Sequence, residues 1–141
     1  MRWTVSSCLM ATLLVAPVAF ADVGPDLSLT VTPDDPVGGG DTVTFDLSGG
    51  DFFSLAFLAA GDTLGSSPFG EVTLDVLPDL YLFLGLFPSD GSLSTSFALP
   101  DTLPPELSGL IFHLQGASVG INFEDFTLTW RKSNLDSLSF E

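Results

Sequence analysis

Hydrophobic and polar positions alternate with a period of two in one short segment after another, which predicts strands with one buried face. In Leu27–Thr32, Leu27, Leu29 and Val31 share a face opposite Ser28, Thr30 and Thr32. Pro33-Asp34-Asp35-Pro36 stops that run, and Gly38-Gly39-Gly40 follows as a loop. Thr42–Ser48 repeats the pattern with Val43, Phe45 and Leu47 inward, and Gly49-Gly50-Asp51 reads as a hairpin turn into the next strand. Val72–Leu77 sets Val72, Leu74 and Val76 against Thr73 and Asp75. Ser92–Leu99, after the Pro88–Gly91 turn, places Leu93, Phe97 and Leu99 on one face. Phe123–Trp130 and Leu135–Phe140 read as two further strands.

Two segments break the alternation. Phe52–Ala60 and Tyr81–Phe87 are apolar on both faces, so each should be a central strand, lie under a long loop, or expose a sticky face. Gly61–Gly70 is rich in Gly and Ser, contains Pro68, and reads as a loop. The three prolines within Pro100–Ser108 mark a crossing between sheets. Gly109–Val119 is an apolar run that holds the single histidine, His113, together with Gln115. Helical periodicity is absent beyond the amino terminus. Eight or nine short strands separated by turn signals predict an all-β fold, an antiparallel β-sandwich of immunoglobulin or fibronectin type.

The amino terminus alters this picture by giving the chain an address. Arg2, the apolar Cys8–Phe20 and the small-x-small Ala19-Phe20-Ala21 have the form of a secretory signal cleaved after Ala21. The apolar run is shorter than the roughly 20 residues of a spanning helix. A secreted or periplasmic domain of residues 22–141 is therefore expected, with no membrane insertion. Cleavage would remove the only cysteine, so disulfides and thiol chemistry are not available to it. Charge then narrows the partners. All 18 acidic residues follow Ala21, against Arg131 and Lys132 alone. Such a surface repels phosphate backbones and anionic lipid, which argues against nucleic acid, and it keeps the protein soluble by self-repulsion.

Candidate chemistry is sparse. A catalytic triad would need His113 beside a serine and a carboxylate, yet neither a G-x-S-x-G elbow nor an H-E-x-x-H motif is present. Asp34-Asp35 and Glu124-Asp125 are adjacent carboxylates that would face opposite ways on a strand, unlike a glycosidase pair. No catalytic residue, and hence no enzyme, is expected. Asp34, Asp35 and Asp41 flank one loop and are the candidate ligands for calcium, the only cofactor these oxygens would favour. Tyr81 and Trp130 are the candidate sugar-stacking rings of a carbohydrate-binding module. Gln115 within an apolar strand predicts a side chain bonded to neighbouring backbone, and Asn134 before a strand predicts an Asx-type turn.

Several short motifs carry a resemblance. Asp90-Gly91 before Ser92–Leu99, then Pro100, Gly109, Phe112, Leu114-Gln115-Gly116 and Ser133-Asn134 before Leu135–Phe140 look like an uncharacterised class of small bacterial exported domains. Gly70 before Val72–Asp75 matches as well. The resemblance implies a β-sandwich and an exported location, and it implies no activity; Gly109, Gln115, Ser133 and Asn134 are expected to hold the fold. Ile121–Lys132 is longer than the tight connection it would lead one to expect, which leaves the pairing of Phe123–Trp130 open. The reading is thus an exported, non-enzymatic structural or interaction module, with a protein partner or self-association through its apolar strands. The alternatives are a carbohydrate-binding module and a small outer-membrane β-barrel, whose strands would need about 9–11 residues.

Overall fold

The computed structural model describes residues 26–141; the expected signal and its cleavage site lie outside the described residues. Among the described residues nine strands are formed: β1 (Ser28–Thr32), β2 (Thr42–Ser48), β3 (Leu55–Gly61), β4 (Thr63–Phe69), β5 (Val72–Leu77), β6 (Leu80–Leu86), β7 (Ser92–Ala98), β8 (Ile111–Asn122) and β9 (Thr127–Ser139). They build an antiparallel sandwich. One sheet has the order β1-β2-β7 and the other β6-β3-β8-β9, while β4-β5 makes a separate two-stranded ribbon. The alternating segments place their apolar sides between the two main sheets: Leu29, Val31, Val43, Phe45 and Leu47 meet Ala56, Leu58 and Leu114, with Phe87 and Phe140 closing the ends.

The doubly apolar Phe52–Ala60 is explained by a third layer. Along β3, Ala56, Leu58 and Ala60 join the central core, while Ala59 turns outward into a second cluster with Ala117, Leu74 and Val76. The β4-β5 ribbon therefore lies on the outer face of the larger sheet, and small residues at Ala59 and Ala117 let it approach. Gly61–Gly70 is not a loop: most of it is β4, paired with β5 through an irregularity between Leu64 and Ser67. Pro68 is tolerated because the strand has a partner on one side only.

Other boundaries also differ from expectation. Gly49–Asp51 does not close a hairpin; β2 pairs with β1 and β7, and the glycines carry the chain across to the other sheet. Tyr81–Phe87 is not central, because β6 pairs only with β3 and forms the edge of its sheet. Its inner side chains, Leu82 and Leu84, pack on the core, whereas Phe83 and Leu86 are exposed. Phe123–Trp130 and Leu135–Phe140 are largely one strand, β9, which pairs with β8 from Asn122↔Thr127 to Ile111↔Ser139. This long hairpin settles the pairing that the sequence left open.

Ser133-Asn134 does not precede the last strand but lies within β9. There two residues oppose the single Gly116, since Gln115 pairs with Leu135 and Ala117 with Lys132, a β-bulge. Ser133 Oγ accepts from the Gly116 N–H at 2.7 Å, replacing the ladder bond that the bulge removes. A side chain at Gly116 would stand 2.5 Å from Leu47 Cδ1 across the sandwich, so any larger residue would have to displace the Leu47 side chain.

Candidate functional site

No Asx turn forms at Asn134. Its amide spans the gap between sheets, with Oδ1 accepting from Leu29 N at 2.9 Å and Nδ2 donating to Leu29 O at 3.1 Å. Two residues on, Asp136 Oδ2 accepts from Val31 N at 2.9 Å. Backbone contacts complete this seam at both ends, Leu27 N to Lys132 O at 3.0 Å and Val37 N to Ser139 O at 2.9 Å. The free edge of β1 is thereby joined to β9, and the sandwich is sealed on that side.

Gln115 is fully buried, as its apolar flanks suggested, and it fastens the ribbon to the sheet. Its Oε1 accepts from Asp75 N at 2.7 Å, and its Nε2 donates to Ser133 O at 2.7 Å and Asp75 Oδ2 at 3.1 Å. Lys132 adds a second tie, donating to Thr73 O at 2.7 Å and lying 3.4 Å from Asp75 Oδ2. Arg131, its neighbour on the opposite face of β9, holds Asp51 at 2.9 Å and Asp26 at 3.5 Å. Both cations that follow Ala21 thus join segments distant in sequence. Among the described residues no buried side-chain nitrogen or oxygen lacks a hydrogen-bond partner.

The candidate ligands and rings are distributed as follows. Asp34 and Asp35 are exposed, and Asp41 Oδ2 accepts from Gly38 N at 2.8 Å within its own loop. Among the described residues no three His, Cys, Asp or Glu side chains gather to hold a metal ion. His113 is half-buried on β8 between Gly61 and Ser137 and makes no hydrogen bond to a serine or a carboxylate among the described residues. Gly109 has φ +78° after the 3-10 turn Pro105–Leu107, a backbone state that glycine adopts without strain, and it precedes β8.

Tyr81 and Trp130 do lie on one face, but Phe69 of the ribbon stands between them. Its ring centroid is 6.0 Å from that of Tyr81 and 5.5 Å from that of Trp130, with the indole edge-on at 86°. Gly70, at φ +60°, lies directly against the indole; a Cβ there would be 2.2 Å from the ring. With Phe57 at 5.8 Å, these rings pack the margin of the ribbon and do not form an open stacking platform.

Beyond that margin the outer face is uncovered. On β3, Ala59 is fully buried while Leu55 is 39% exposed on the same face; on β8, Ala117 is fully buried while Ile121 is 54% exposed. Leu55 sits between Leu86 and Val119, and Ile121 pairs with Leu128, so the exposed side chains are neighbours across the sheet. Two turns extend the patch: Phe52 and Phe53 before β3, and Phe123 and Phe126 at the tip of the β8–β9 hairpin, each more than half exposed. Phe53, Leu55, Leu86, Val119, Ile121 and Phe123 line an open groove of about 380 Å³ that contains no charged side chain. Acids stand only around it, at Asp51, Glu124 and Asp125. Sequence reasoning allowed an exposed apolar face on Phe52–Ala60 and Tyr81–Phe87 but missed its extension by the two turns, which are far apart in the chain. The signal available was Phe52-Phe53 directly ahead of a strand apolar on both faces.

No protein-family model matches the sequence, and no curated protein matches it. Among solved structures the chain is similar to CHIR-AB1, with 14% identity, a TM-score of 0.40 and 83% of this chain aligned to 99% of that one. It is also similar to Spo0M, a sporulation control protein from Bacillus subtilis, with 14% identity and a TM-score of 0.39. That alignment takes in 84% of this chain and 50% of Spo0M.

Proposed function

We propose that this chain is an exported, non-catalytic β-sandwich that acts as an interaction module through the uncovered part of its outer sheet face. The observation that carries the reading is that face itself. One stretch is covered by a dedicated ribbon with satisfied polar contacts, and the adjoining stretch presents large apolar side chains to solvent. Exposed apolar surface is normal when scattered, but a contiguous patch of several hundred Å² marks a binding surface. The amino-terminal Arg2, the apolar Cys8–Phe20 and Ala19-Phe20-Ala21 support export. His113, which faces Ser137 across the β8–β9 ladder but makes no hydrogen bond to a serine or a carboxylate among the described residues, supports a non-catalytic role.

Position-specific photo-cross-linking in the producing cells tests the reading. Ile121 and Ile111 are both on β8, face the same way and are 54% and 51% exposed, but only Ile121 lies in the patch. A cross-linker at position 121 should give a defined adduct that position 111 does not give. Equal labelling at both positions, or none at either, contradicts the proposal.

A further inference from the structure

We infer that the occupant of the uncovered face is a second copy of this chain, and that ionic strength controls the association. This rests on the docking role proposed above and names its partner.

Area is the first argument. Phe52, Phe53, Phe83, Phe123 and Phe126 are 68%, 58%, 59%, 66% and 77% exposed. With roughly 150–250 Å² per aromatic side chain, these five alone present on the order of 600 Å². Leu55, Leu86, Ile121 and Leu128 add to it, reaching the roughly 800 Å² that each partner contributes to a standard stable interface. A small ligand would leave most of that area wet.

Composition is the second argument. Interfaces between different, separately stable proteins are about as polar as the rest of the surface, whereas homodimer interfaces are more apolar and lose charge at their centre. The groove has no charged lining residue although the chain carries 18 acids. Charge lies only at its rim, at Asp51, Glu124 and Asp125, so its centre has no group for a basic side chain to pair with. Phenylalanine against phenylalanine is self-complementary, as a two-fold interface demands. A lipid surface fits less well, because a chain with 18 acids is repelled by anionic headgroups.

Charge then sets the condition. Two copies, each with 18 acids against two cations after Ala21, repel at long range, while apolar contact acts only at short range. Salt shortens that repulsion from a reach of about 10 Å at 0.1 M to about 3 Å at 1 M. Association should therefore strengthen as salt rises, opposite to an interface held by charge pairs.

The test is sedimentation equilibrium of the purified protein, as the producing cells export it, from low to high sodium chloride. The mass should move from one copy toward two as salt rises. Ile121→Thr and Phe53→Asn should each weaken the dimer about tenfold or more, with folding checked by circular dichroism. Asparagine suits position 53, where φ is +67°. Ile111→Thr should dimerise like the parent. A single-copy mass at every salt concentration overturns the inference, as does a dimer that salt dissolves or that Ile121→Thr leaves intact. If the protein stays monomeric while the cross-linker at position 121 still gives an adduct of another mass, self-association fails and the docking role stands. If that adduct is absent as well, both fail.

Discussion

Two stretches of one sheet face share the same two strands and meet opposite fates. Both are built from outward residues of β3 and β8. Where the ribbon lies over them they are Ala59, Ala117 and Gln115, small or polar, and fully buried. Toward the 52–53 and 123–126 turns they are Leu55 and Ile121, large, apolar and exposed. A strand that is apolar on both sides does not by itself say whether a cover is present. The covered stretch is marked by small residues that admit another backbone and by a glutamine that satisfies that backbone's open edge. The uncovered stretch has neither. Large apolar residues with no polar anchor are what a surface needs when its partner comes from another molecule.

The strongest way to test the contrast is to truncate one side chain on each side of it. Leu74→Ala, beneath the ribbon, should cost about 2–5 kcal/mol of stability, a cavity being left between Ala59 and Ala117. It should show as a lower urea midpoint, and a value near zero would mean that the ribbon is not a packed layer. Gln115→Met keeps the length but leaves Asp75 N and Ser133 O without that partner, for about 1–3 kcal/mol. Faster amide exchange should follow in β5 before it does in β2. Ile121→Thr, on the exposed stretch, should shift monomer stability by no more than about 0.5 kcal/mol. A large loss there would show that the patch supports the fold instead of waiting for a partner.

The smallest expected effect is at the rim. The hydroxyl and backbone N–H of Thr127 both donate to the Asp125 carboxylate and hold its pKa below the usual aspartate value. The charged form is the one that the fold favours. Its contribution is present above the unfolded pKa and is lost as pH falls through the lower folded one. The Thr127 amide resonance should titrate with a midpoint below that of an ordinary aspartate, and Thr127→Val should raise it. An unshifted midpoint would remove Asp125 from the account of the hairpin tip.

The alternating segments were legible because period-two patterning is set by burial against a single core, and β1, β2, β5 and β7 lie where that pattern predicts. The buried role of Gln115 was legible for a related reason, an amide within an apolar strand having to find partners. The ribbon strand β4 was not, since Gly65, Ser66, Ser67 and Pro68 carry loop propensity and are held extended only by pairing with β5. Asn134 was misread because two of its three side-chain bonds go to Leu29, 105 residues away, and a local turn rule cannot see them. The extent of the apolar patch was hidden for the same reason: Phe53 and Phe123 become neighbours only when β3 pairs with β8.

We propose that the uncovered stretch of the outer face is the part of the molecule that meets a partner. Nuclear magnetic resonance of the protein across a concentration series at high salt tests it most directly. Shift changes confined to 52–55, 83–86 and 119–128, with the ribbon and the β1–β9 seam unmoved, are the predicted result. Spectra that do not change with concentration, or changes centred on the ribbon or the seam, would contradict it.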